Sequence, residues 1–244
     1  MQLSKTIVVC GVSHKPGLGY AIARRFAAGG YKVGIIGRTE SRLSAICEAI
    51  HADVAGSDVK YVVADATDAA QCASGFAELA EQQGRPEVLV YNLATRPAPA
   101  AIADLAPAVL EADMRAGAYG GLLCAQAVLP AMLESQKGAI IFTGASASLR
   151  GSANFGGFAV QKCGLRALAQ SLAKEVLPKG VHVAHVIVDA LVDMPFIETF
   201  LPGASKGRLI DTDMAADVYW MLSQQDLRCC TFEMDLRPLE ATMA

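Results

Sequence analysis

The sequence predicts a single α/β domain over residues 1–244, in which helices cover both faces of a doubly wound parallel sheet. Short runs of β-branched residues alternate with longer helical patterns along the whole chain, and no linker, repeat or low-complexity segment interrupts them. Strand, helix and strand at this spacing require right-handed crossovers, which place parallel strands side by side. A chain of 244 residues commonly folds as one such unit.

The predicted elements follow one another in strict alternation. The strand predictions are 6–10, 32–36, 59–63, 88–91, 139–143, 181–188 and 231–234. The helix predictions are 17–29, 40–51, 68–83, 107–134, 154–178 and 212–223. Thr39 is a suitable helix cap, as is Thr67 with Asp68, and Pro178 with Gly180 ends the long helix before the sixth strand.

Segment 194–211 contains Pro195, Pro202, Gly203 and Gly207, which predict a loop rather than a helix or a strand. The segment follows the carboxyl end of a strand, where open α/β sheets bind ligands. We therefore expect a substrate loop here, and a passive surface loop is the alternative.

The composition excludes a disordered chain and a basic nucleic-acid-binding protein. There are 21 Lys and Arg residues against 24 Asp and Glu, the formal net charge is -3, and 53% of the residues are hydrophobic. Only 18% of the residues are charged and the mean hydropathy is +0.34, so another subunit is expected to cover part of the surface. We expect a homodimer or homotetramer that packs through helices 107–134 and 154–178.

The longest uncharged run, 116–133, is long enough to raise the question of a membrane span. Gly117, Gly120 and Pro130 interrupt it, which favours a buried or subunit-facing helix and no membrane association. The chain starts directly with a strand pattern instead of the regions of a signal peptide, so the expected location is cytoplasmic.

The seven cysteines are an odd number without metal-ligand spacing, and we expect reduced core thiols and no metal.

A glycine cluster directly follows the first predicted strand. Gly11, Gly17 and Gly19, with Ser13 and Leu18 between them, lead into the first helix. A pyrophosphate can approach the backbone N–H groups of a helix N-terminus where no Cβ obstructs it, and glycines also permit the tight turn. Between a strand and a helix that open a βαβ series, this cluster predicts a dinucleotide-binding turn.

Arg38 lies at the end of the second strand, where a protein that prefers NAD usually has an acidic residue for the ribose hydroxyls. A guanidinium can bind a 2'-phosphate through two charge-assisted hydrogen bonds, and Lys15 or His14 can add to the positive field. We therefore expect NADP(H) to be preferred over NAD(H). The alternative is that Arg38 is a solvated charge without a ligand.

Two further cofactor-binding candidates lie at the ends of the third and fourth strands. Asp65 can accept a hydrogen bond from the adenine amino group, and a plain turn residue is the alternative. Asn92 belongs to the stretch 91–94, in which small or flat side chains let the chain pass beside the cofactor ribose.

These residues together resemble the short-chain dehydrogenase/reductase family, and the resemblance covers nearly the whole chain. Gly11, Gly17 and Gly19 look like the family glycines, although five residues separate the first pair where the family generally has three. The stretch 91–94 stands in the place of the family's Asn-Asn-Ala-Gly motif, with Asn92 kept. The resemblance implies a Rossmann fold, a nicotinamide dinucleotide and an oxidoreductase that acts on a small-molecule substrate.

The catalytic positions that the resemblance implies are mostly substituted. The family's Tyr-x-x-x-Lys motif falls on Phe158 and Lys162, the family Ser falls on Ala145 with Ser146 next to it, and the family Asn falls on Gly117. Of the four residues only the Lys is retained.

The segment 189–195 is similar to the family's Pro-Gly nicotinamide clamp with both lead residues replaced, and Val192 within it is a further cofactor-binding candidate. Together with the incomplete glycine motif and the retained Lys, this resembles an atypical subgroup of the family that has Phe in place of Tyr.

The substitutions change the chemistry that the resemblance implies. In the family, Tyr transfers a proton while a hydride passes to or from the nicotinamide, and Lys lowers the Tyr pKa and binds the ribose. Phe158 has no proton to give, so carbonyl reduction by this mechanism should fall by about 10²- to 10⁴-fold. Lys162 keeps its role toward the ribose. Ser146 can orient a carbonyl, and Tyr91 and Tyr119 are either alternative proton donors or structural residues.

Three function hypotheses follow. The first is an NADP(H)-dependent oxidoreductase with an incomplete catalytic tetrad, which acts on a carbonyl or alkene substrate. The alternative is a catalytically inactive NADP(H)-binding protein that serves as a sensor or partner subunit. A structural protein without a cofactor is a third, weaker hypothesis.

Overall fold

The computed structural model describes residues 5–194, 203 and 206–240. Its main sheet comprises β1 (Thr6–Cys10), β2 (Lys32–Gly37), β3 (Val59–Val63), β4 (Val88–Tyr91), β5 (Gly138–Ala145), β6 (Val181–Val188) and β9 (Glu233–Leu236). These strands are all parallel, in the order β3-β2-β1-β4-β5-β6-β9. The order reverses between β1 and β4, so their carboxyl ends open the crevice in which such sheets bind ligands.

Helices cover both faces of the sheet. One face packs against α1 (Leu18–Ala28), α2 (Glu40–Asp53) and α7 (Thr212–Ser223). The other face packs against α3 (Ala69–Gln83), α5 (Gly120–Ser135) and α6 (Gly156–Val176), and α4 (Pro107–Met114) contacts α6. Because the strands are covered on both sides, β1 and β6 are buried throughout. The predicted doubly wound parallel sheet of Rossmann type is confirmed.

Several predicted elements begin or end one or two residues away from their observed bounds, and two differ in continuity or register. The helix predicted over 107–134 is divided into α4 and α5 by a π-helical turn at Arg115–Tyr119, where Gly117 has φ -87° and ψ -113°. The last strand was predicted over 231–234 but lies at Glu233–Leu236. Thr231 is held in the preceding turn instead, because its N–H donates to Gln225 Oε1 and its carbonyl contacts His182 Nε2.

A short ladder that the sequence did not predict joins β7 (Leu191–Val192) to β8 (Leu209–Ile210). It lies just beyond β6 and holds together the two ends of the predicted substrate loop 194–211. Residues 195–202 and 204–205 of that loop lie outside the described residues.

The run Pro107–Ser135 is long and apolar enough for a membrane span, with a mean hydropathy of 1.4, and 44% of its most apolar window is buried. Cys124, Val128 and Met132 of α5 lie in the core on one face of the sheet. These apolar side chains of the run therefore pack against β4 and β5.

All seven cysteines are free thiols. Cys10, Cys47, Cys72 and Cys124 are buried, as expected of core thiols, whereas Cys229 is exposed.

Candidate functional site

The turn between β1 and α1 packs closely against the end of β4. Gly11 has φ +93°, and a Cβ on it would lie 2.5 Å from the backbone nitrogen of Leu93. A Cβ on Gly19 would lie 2.6 Å from the carbonyl oxygen of Gly11. Because the atoms in the way belong to the backbone, they cannot move aside, and only glycine fits at these two positions.

The N-terminus of α1 is open to an anion. Its N-cap residue is Gly17, no side chain caps the first turn, and that turn contains no acidic residue. The first N–H groups of a helix have no partner within the helix, and the helix dipole makes this end positive. Leu18 is buried beneath the turn and Ser13 is exposed beside it. The residues present therefore fit the pyrophosphate of a dinucleotide.

Asn92 stabilises this turn from the neighbouring strand. Its Nδ2 donates to the carbonyl oxygen of Gly11 at 2.9 Å, and its backbone N–H donates to the carbonyl oxygen of Cys10 at 2.8 Å. The side chain thus fixes the path of the glycine turn relative to β4. Direct contact between Asn92 and a ribose stays a prediction.

Arg38 projects from the end of β2, and its side chain is 74% exposed. Its Nη1 lies 3.6 Å from Asp65 Oδ2. Burial raises the pKa of Asp65, but hydrogen bonds from Thr67 and the charge of Arg38 outweigh burial, so that the pKa is lowered overall. The Arg38 guanidinium is therefore mostly solvated, at the position where the sequence predicts binding of the 2'-phosphate. Its ion pair with Asp65 is longer than a hydrogen bond.

The other predicted cations are arranged differently. Lys15 Nζ lies 3.1 Å from Asp53 Oδ2 at the end of α2, so a carboxylate offsets its charge, and its contribution to a phosphate field stays a prediction. Burial and the charge of Arg42 lower the pKa of His14, so this imidazole adds little charge near neutral pH. Arg42, in the first turn of α2, is instead a second guanidinium on this side, and the sequence analysis missed it.

Lys162 is enclosed within the protein, with 3% of its surface exposed. Its Nζ donates to the carbonyl oxygen of Thr143 at 2.8 Å, which leaves two N–H groups for other acceptors. Burial lowers the pKa of Lys162 to about 8. A buried ammonium that has one hydrogen-bond acceptor among the described residues suits the hydroxyls of a ribose, the role predicted for it.

The other candidates for the catalytic positions lie on α6 and on the turn after β5. The Phe158 ring centroid lies 5.9 Å from Lys162 Nζ, so an apolar ring faces the cation. Ala145 ends β5, and Ser146 begins the short 3-10 turn that follows it. Ser146 is half buried and its hydroxyl is the nearest one in sequence to the place of the family Ser. Its catalytic role stays a prediction.

The two phenols left open by the sequence have structural surroundings. Tyr91 is fully buried, its hydroxyl donates to the carbonyl oxygen of Ala116 at 2.8 Å, and burial raises its pKa well above the usual value. Tyr119 is 42% exposed, and its ring contacts the guanidinium of Arg115. The Tyr91 hydroxyl is therefore bound to the backbone, whereas a role of Tyr119 as a proton donor stays a prediction.

Gly117 has a steric reason to replace the family Asn. A Cβ at this position would lie 2.5 Å from the carbonyl oxygen of Gln161, on the neighbouring helix α6. The π-helical turn and α6 are thus too close for any side chain at residue 117.

A buried polar chain behind the site was missed by the sequence analysis. His185, with no exposed surface, contacts Ser148 Oγ through Nε2 at 3.4 Å and Glu233 Oε2 through Nδ1 at 3.0 Å. Arg166 donates two hydrogen bonds to Glu233, at 2.6 and 2.7 Å. These bonds and the charge of Arg166 lower the pKa of Glu233, although burial of the carboxylate acts in the opposite direction. The Ser148 hydroxyl accepts from the backbone N–H of Ala145 at 3.1 Å. This chain therefore fixes the turn after β5, and its members are too distant in sequence to be recognised as a group.

A second missed group consists of Thr95, Asp113 and Gln161, and we call it the Asp113 cluster. Thr95 Oγ1 donates to Asp113 Oδ1, and Gln161 Oε1 lies 3.5 Å from Thr95 Oγ1. A Cβ on Gly157 would overlap Asp113 Oδ2, so the first turn of α6 lies directly against the carboxylate. The cluster is therefore adjacent to the helix turn that carries Phe158.

Val192 lies on β7, half buried, next to the start of the predicted substrate loop. Its contact with a nicotinamide stays a prediction.

Comparisons of the sequence with known proteins agree with this geometry. A family model described as short chain dehydrogenase matches residues 5–194. The chain is 30% identical over 191 residues to the 3-oxoacyl-[acyl-carrier-protein] reductase MabA of Mycobacterium tuberculosis, which covers 78% of this chain and 70% of that protein. It is 29% identical over 235 residues to an uncharacterized oxidoreductase of Staphylococcus saprophyticus, covering 96% of this chain and 97% of the relative.

Solved structures agree as well. A short-chain dehydrogenase from Rhodopseudomonas palustris is 32% identical with a TM-score of 0.80, covering 96% of this chain and 98% of that one. A metagenomic short-chain oxidoreductase in complex with NADP is 27% identical with a TM-score of 0.82, covering 98% of this chain and 99% of that one.

Proposed function

From the premise that this chain belongs to the short-chain dehydrogenase family, we propose that it is an NADP(H)-dependent oxidoreductase with an incomplete catalytic tetrad. It belongs to the atypical members in which Phe158 stands for Tyr, and its substrate is a small carbonyl compound or alkene. The observation that carries the proposal is the uncapped α1 N-terminus beside Gly11 and Gly19, with the buried Lys162 ammonium across the same sheet edge.

Each part of the dinucleotide has candidate partners in the chain. The α1 N-terminus binds the pyrophosphate, Arg38 with Arg42 binds the 2'-phosphate, and Asp65 receives the adenine amino group. Lys162 donates to the nicotinamide ribose. The metagenomic relative that was solved with NADP supports the choice of a dinucleotide. When bound, the reduced nicotinamide supplies a hydride.

The chain's own residues set the limits of the chemistry. Phe158 places an apolar ring 5.9 Å from Lys162 Nζ, but it donates no proton. The family mechanism on ketones is consequently slow, and residual turnover takes its proton from water. The alternative proposal, an inactive NADP(H)-binding sensor or partner subunit, rests on the same Phe158 and differs in predicting no turnover at all.

Calorimetry with NADPH, followed by incubation with NADPH and a panel of ketones, aldehydes and activated alkenes, separates these proposals. Saturable binding with oxidation of NADPH above a protein-free control supports the oxidoreductase. Saturable binding without any oxidation supports the inactive binding protein. Absence of heat with both NADPH and NADH would contradict both proposals.

Replacing Arg38 by Ala is expected to raise the Kd for NADPH by about 10- to 100-fold, because two charge-assisted hydrogen bonds are lost. The Kd for NADH should change little, since NADH has no 2'-phosphate. Arg85→Ala is the matched control: it removes an exposed guanidinium, 70% accessible, just before β4 at the opposite edge of the sheet. An equal loss of NADPH and NADH affinity in Arg38→Ala would contradict the proposed preference.

We also propose that the protein is a homodimer or homotetramer that packs through α5 and α6. Large apolar side chains on and beside these helices remain exposed: Met114 53%, Tyr119 42%, Leu122 38% and Val160 45%. Such a grouped apolar surface is typical of an interface between subunits.

Val160→Glu is expected to dissociate this assembly, because a carboxylate would be buried between two apolar surfaces. Light scattering after size-exclusion chromatography measures the mass. Gln82→Glu on α3 adds the same charge on an exposed site away from α5 and α6 and should leave the mass unchanged. An unchanged mass in Val160→Glu would show that α6 is not the interface.

A further inference from the structure

Lys162 has more hydrogen-bond donors than the proposed cofactor needs. The residue is 3% exposed, and its Nζ donates to the carbonyl oxygen of Thr143 at 2.8 Å. None of the ion pairs found within residues 5–194, 203 and 206–240 includes Lys162. An ammonium has three N–H groups, so one serves Thr143, one serves the ribose hydroxyls, and the third is available to a substrate atom.

An apolar ring lies beside this ammonium. Phe158 precedes Lys162 by about one turn of α6, and its ring centroid lies 5.9 Å from Nζ. The ring has no oxygen or nitrogen that accepts a hydrogen bond, so it leaves the third N–H group of Lys162 to a ligand. A carbonyl oxygen held between the ring and the ammonium can therefore accept this N–H group without displacing another partner.

The reaction in the proposed function needs a proton at that oxygen. A carbonyl oxygen becomes an alkoxide when its carbon gains a hydride, and an acid then has to neutralise it. Two other buried groups that carry a proton are bound elsewhere. The Tyr91 hydroxyl donates to the carbonyl oxygen of Ala116. The His185 imidazole lies behind the turn after β5, between Ser148 and Glu233.

The surroundings of Lys162 make its ammonium a suitable acid. Burial favours the neutral amine and lowers the pKa of Lys162 to about 8. A general acid is most effective when its pKa is close to the working pH. An arginine would stay charged at this position, so lysine is the basic residue that can release a proton here.

We propose that the Lys162 ammonium is the catalytic acid of the reaction and gives its proton to the carbonyl oxygen of the substrate. The inference rests on the proposed NADP(H)-dependent function. The carbonyl carbon gains a hydride and forms one C–H bond, the C=O π pair moves to oxygen, and the oxygen takes a proton from Nζ. The products are an alcohol, the oxidised dinucleotide and a neutral amine at Lys162. Water then returns a proton to the amine, so the net proton still comes from water.

The titratable groups around Lys162 differ from it in their pH ranges. Burial lowers the pKa of His185 on β6, so this imidazole is already neutral when Lys162 begins to titrate. Burial raises the pKa of Tyr219 on α7, and hydrogen bonds to a carboxylate raise that of Arg166 on α6. Cys163, next to Lys162 in the chain, donates its thiol to a backbone carbonyl, and a variant tests it below.

The first experiment follows the proton without turnover. Carbon-detected NMR of protein with ¹³C-labelled lysines gives the titration of each Cε from pH 6 to 11, and the signal missing in Lys162→Met identifies Lys162. We expect Lys162 to titrate near pH 8, because the ammonium is buried. Exposed lysines generally titrate near pH 10.4 and provide the reference signals. A Lys162 signal that is still protonated at pH 10 would overturn the inference.

The second experiment measures kcat at saturating NADPH for the ketone of the panel that is reduced fastest. We expect kcat to be constant from pH 6 to about 8 and to fall by about tenfold per pH unit above that, because only the ammonium gives the proton. Cys163→Ser should keep this profile.

Lys162→Arg separates the acid role from ribose binding. It retains a positive charge and N–H donors but releases no proton, so kcat at pH 7 should fall by about 100-fold or more. The Kd for NADPH should change by less than about threefold, because the donors to the ribose remain. Lys174→Arg alters an exposed lysine on the same helix and is the matched control, with kcat unchanged.

Chemical rescue of Lys162→Ala keeps the test decisive if an arginine does not fit into the site. The melting temperature verifies folding, and NADPH is again saturating. We expect added ethylamine to restore part of kcat. At equal concentrations of the protonated forms, 2-fluoroethylamine should restore more, because it is nearly the same size and a stronger acid. A lysine that supplied only charge would be replaced equally well by both amines.

The outcomes separate this inference from the function on which it rests. If kcat does not change between pH 6 and 10, if a folded Lys162→Arg protein keeps its rate, or if the two amines restore it equally, the proton does not come from Lys162. Binding of NADPH without reduction of any ketone also overturns the acid role. In each of these cases the cofactor assignment stands. If NADPH does not bind at all, the proposed function itself fails.

Discussion

The double variant Phe158→Tyr with Ala145→Ser is expected to raise kcat/KM for NADPH-dependent ketone reduction by about 10²- to 10⁴-fold, the usual contribution of a positioned acid. The substitution adds a hydroxyl to a ring whose centroid lies 5.9 Å from Lys162 Nζ. A cation at this distance favours the phenolate and lowers the pKa of the new Tyr. The serine hydroxyl, on the turn that Ser148 and His185 hold in place, can orient the carbonyl.

Phe155→Tyr provides the control for this gain. Phe155 is the N-cap of α6 and precedes Phe158 by less than one turn, so the same hydroxyl is added to the same kind of ring nearby. Initial rates of NADPH oxidation with a bicyclic ketone, α-tetralone, measure both variants. A gain in the double variant no larger than that in Phe155→Tyr would mean that Phe158 does not occupy the position of the family Tyr.

The fold could be predicted from the sequence because the local residue patterns coincide with the strands of the sheet. The β-branched runs at 6–10, 59–63, 88–91 and 181–188 are strands with the predicted bounds. The failures have specific causes. The break at Gly117 arises from the close approach of Gln161 on another helix, a tertiary constraint that helical periodicity does not contain.

The candidate site could be predicted only where its residues lie close together in the sequence. The glycine turn and the pair Phe158 and Lys162 form local patterns, so they can be recognised in the sequence. By contrast, Asp113 and His185 become notable only through their burial and through partners far away in the chain. An aspartate on a short helix looks like an exposed charge until the packing of Gly157 against it is known.

Replacing Lys162 by Met is expected to stabilise the dinucleotide-free protein at pH 7 by up to about 3 kcal/mol. Burial lowers the Lys162 pKa from 10.5 in the reference state to about 8 in the folded protein, and each pKa unit corresponds to about 1.4 kcal/mol. Below pH 8 the ammonium is charged in both states, so folding bears the full cost of burying it. Between pH 8 and 10.5 the unfolded chain binds the proton and the folded protein does not, so the stability of the unchanged protein rises with pH.

The stability difference between Lys162→Met and the unchanged protein should therefore be largest below pH 8 and should disappear as the pH approaches 10.5. Denaturant unfolding at several pH values measures it, and Lys174→Met, which removes an exposed lysine from the same helix, should show no comparable trend. The same variant should bind NADPH more weakly, because the ribose loses its donor. A lysine that destabilises the protein and is retained points to a ligand. If Lys162→Met were less stable than the unchanged protein at pH 7 and bound NADPH equally well, Lys162 would have a structural role only.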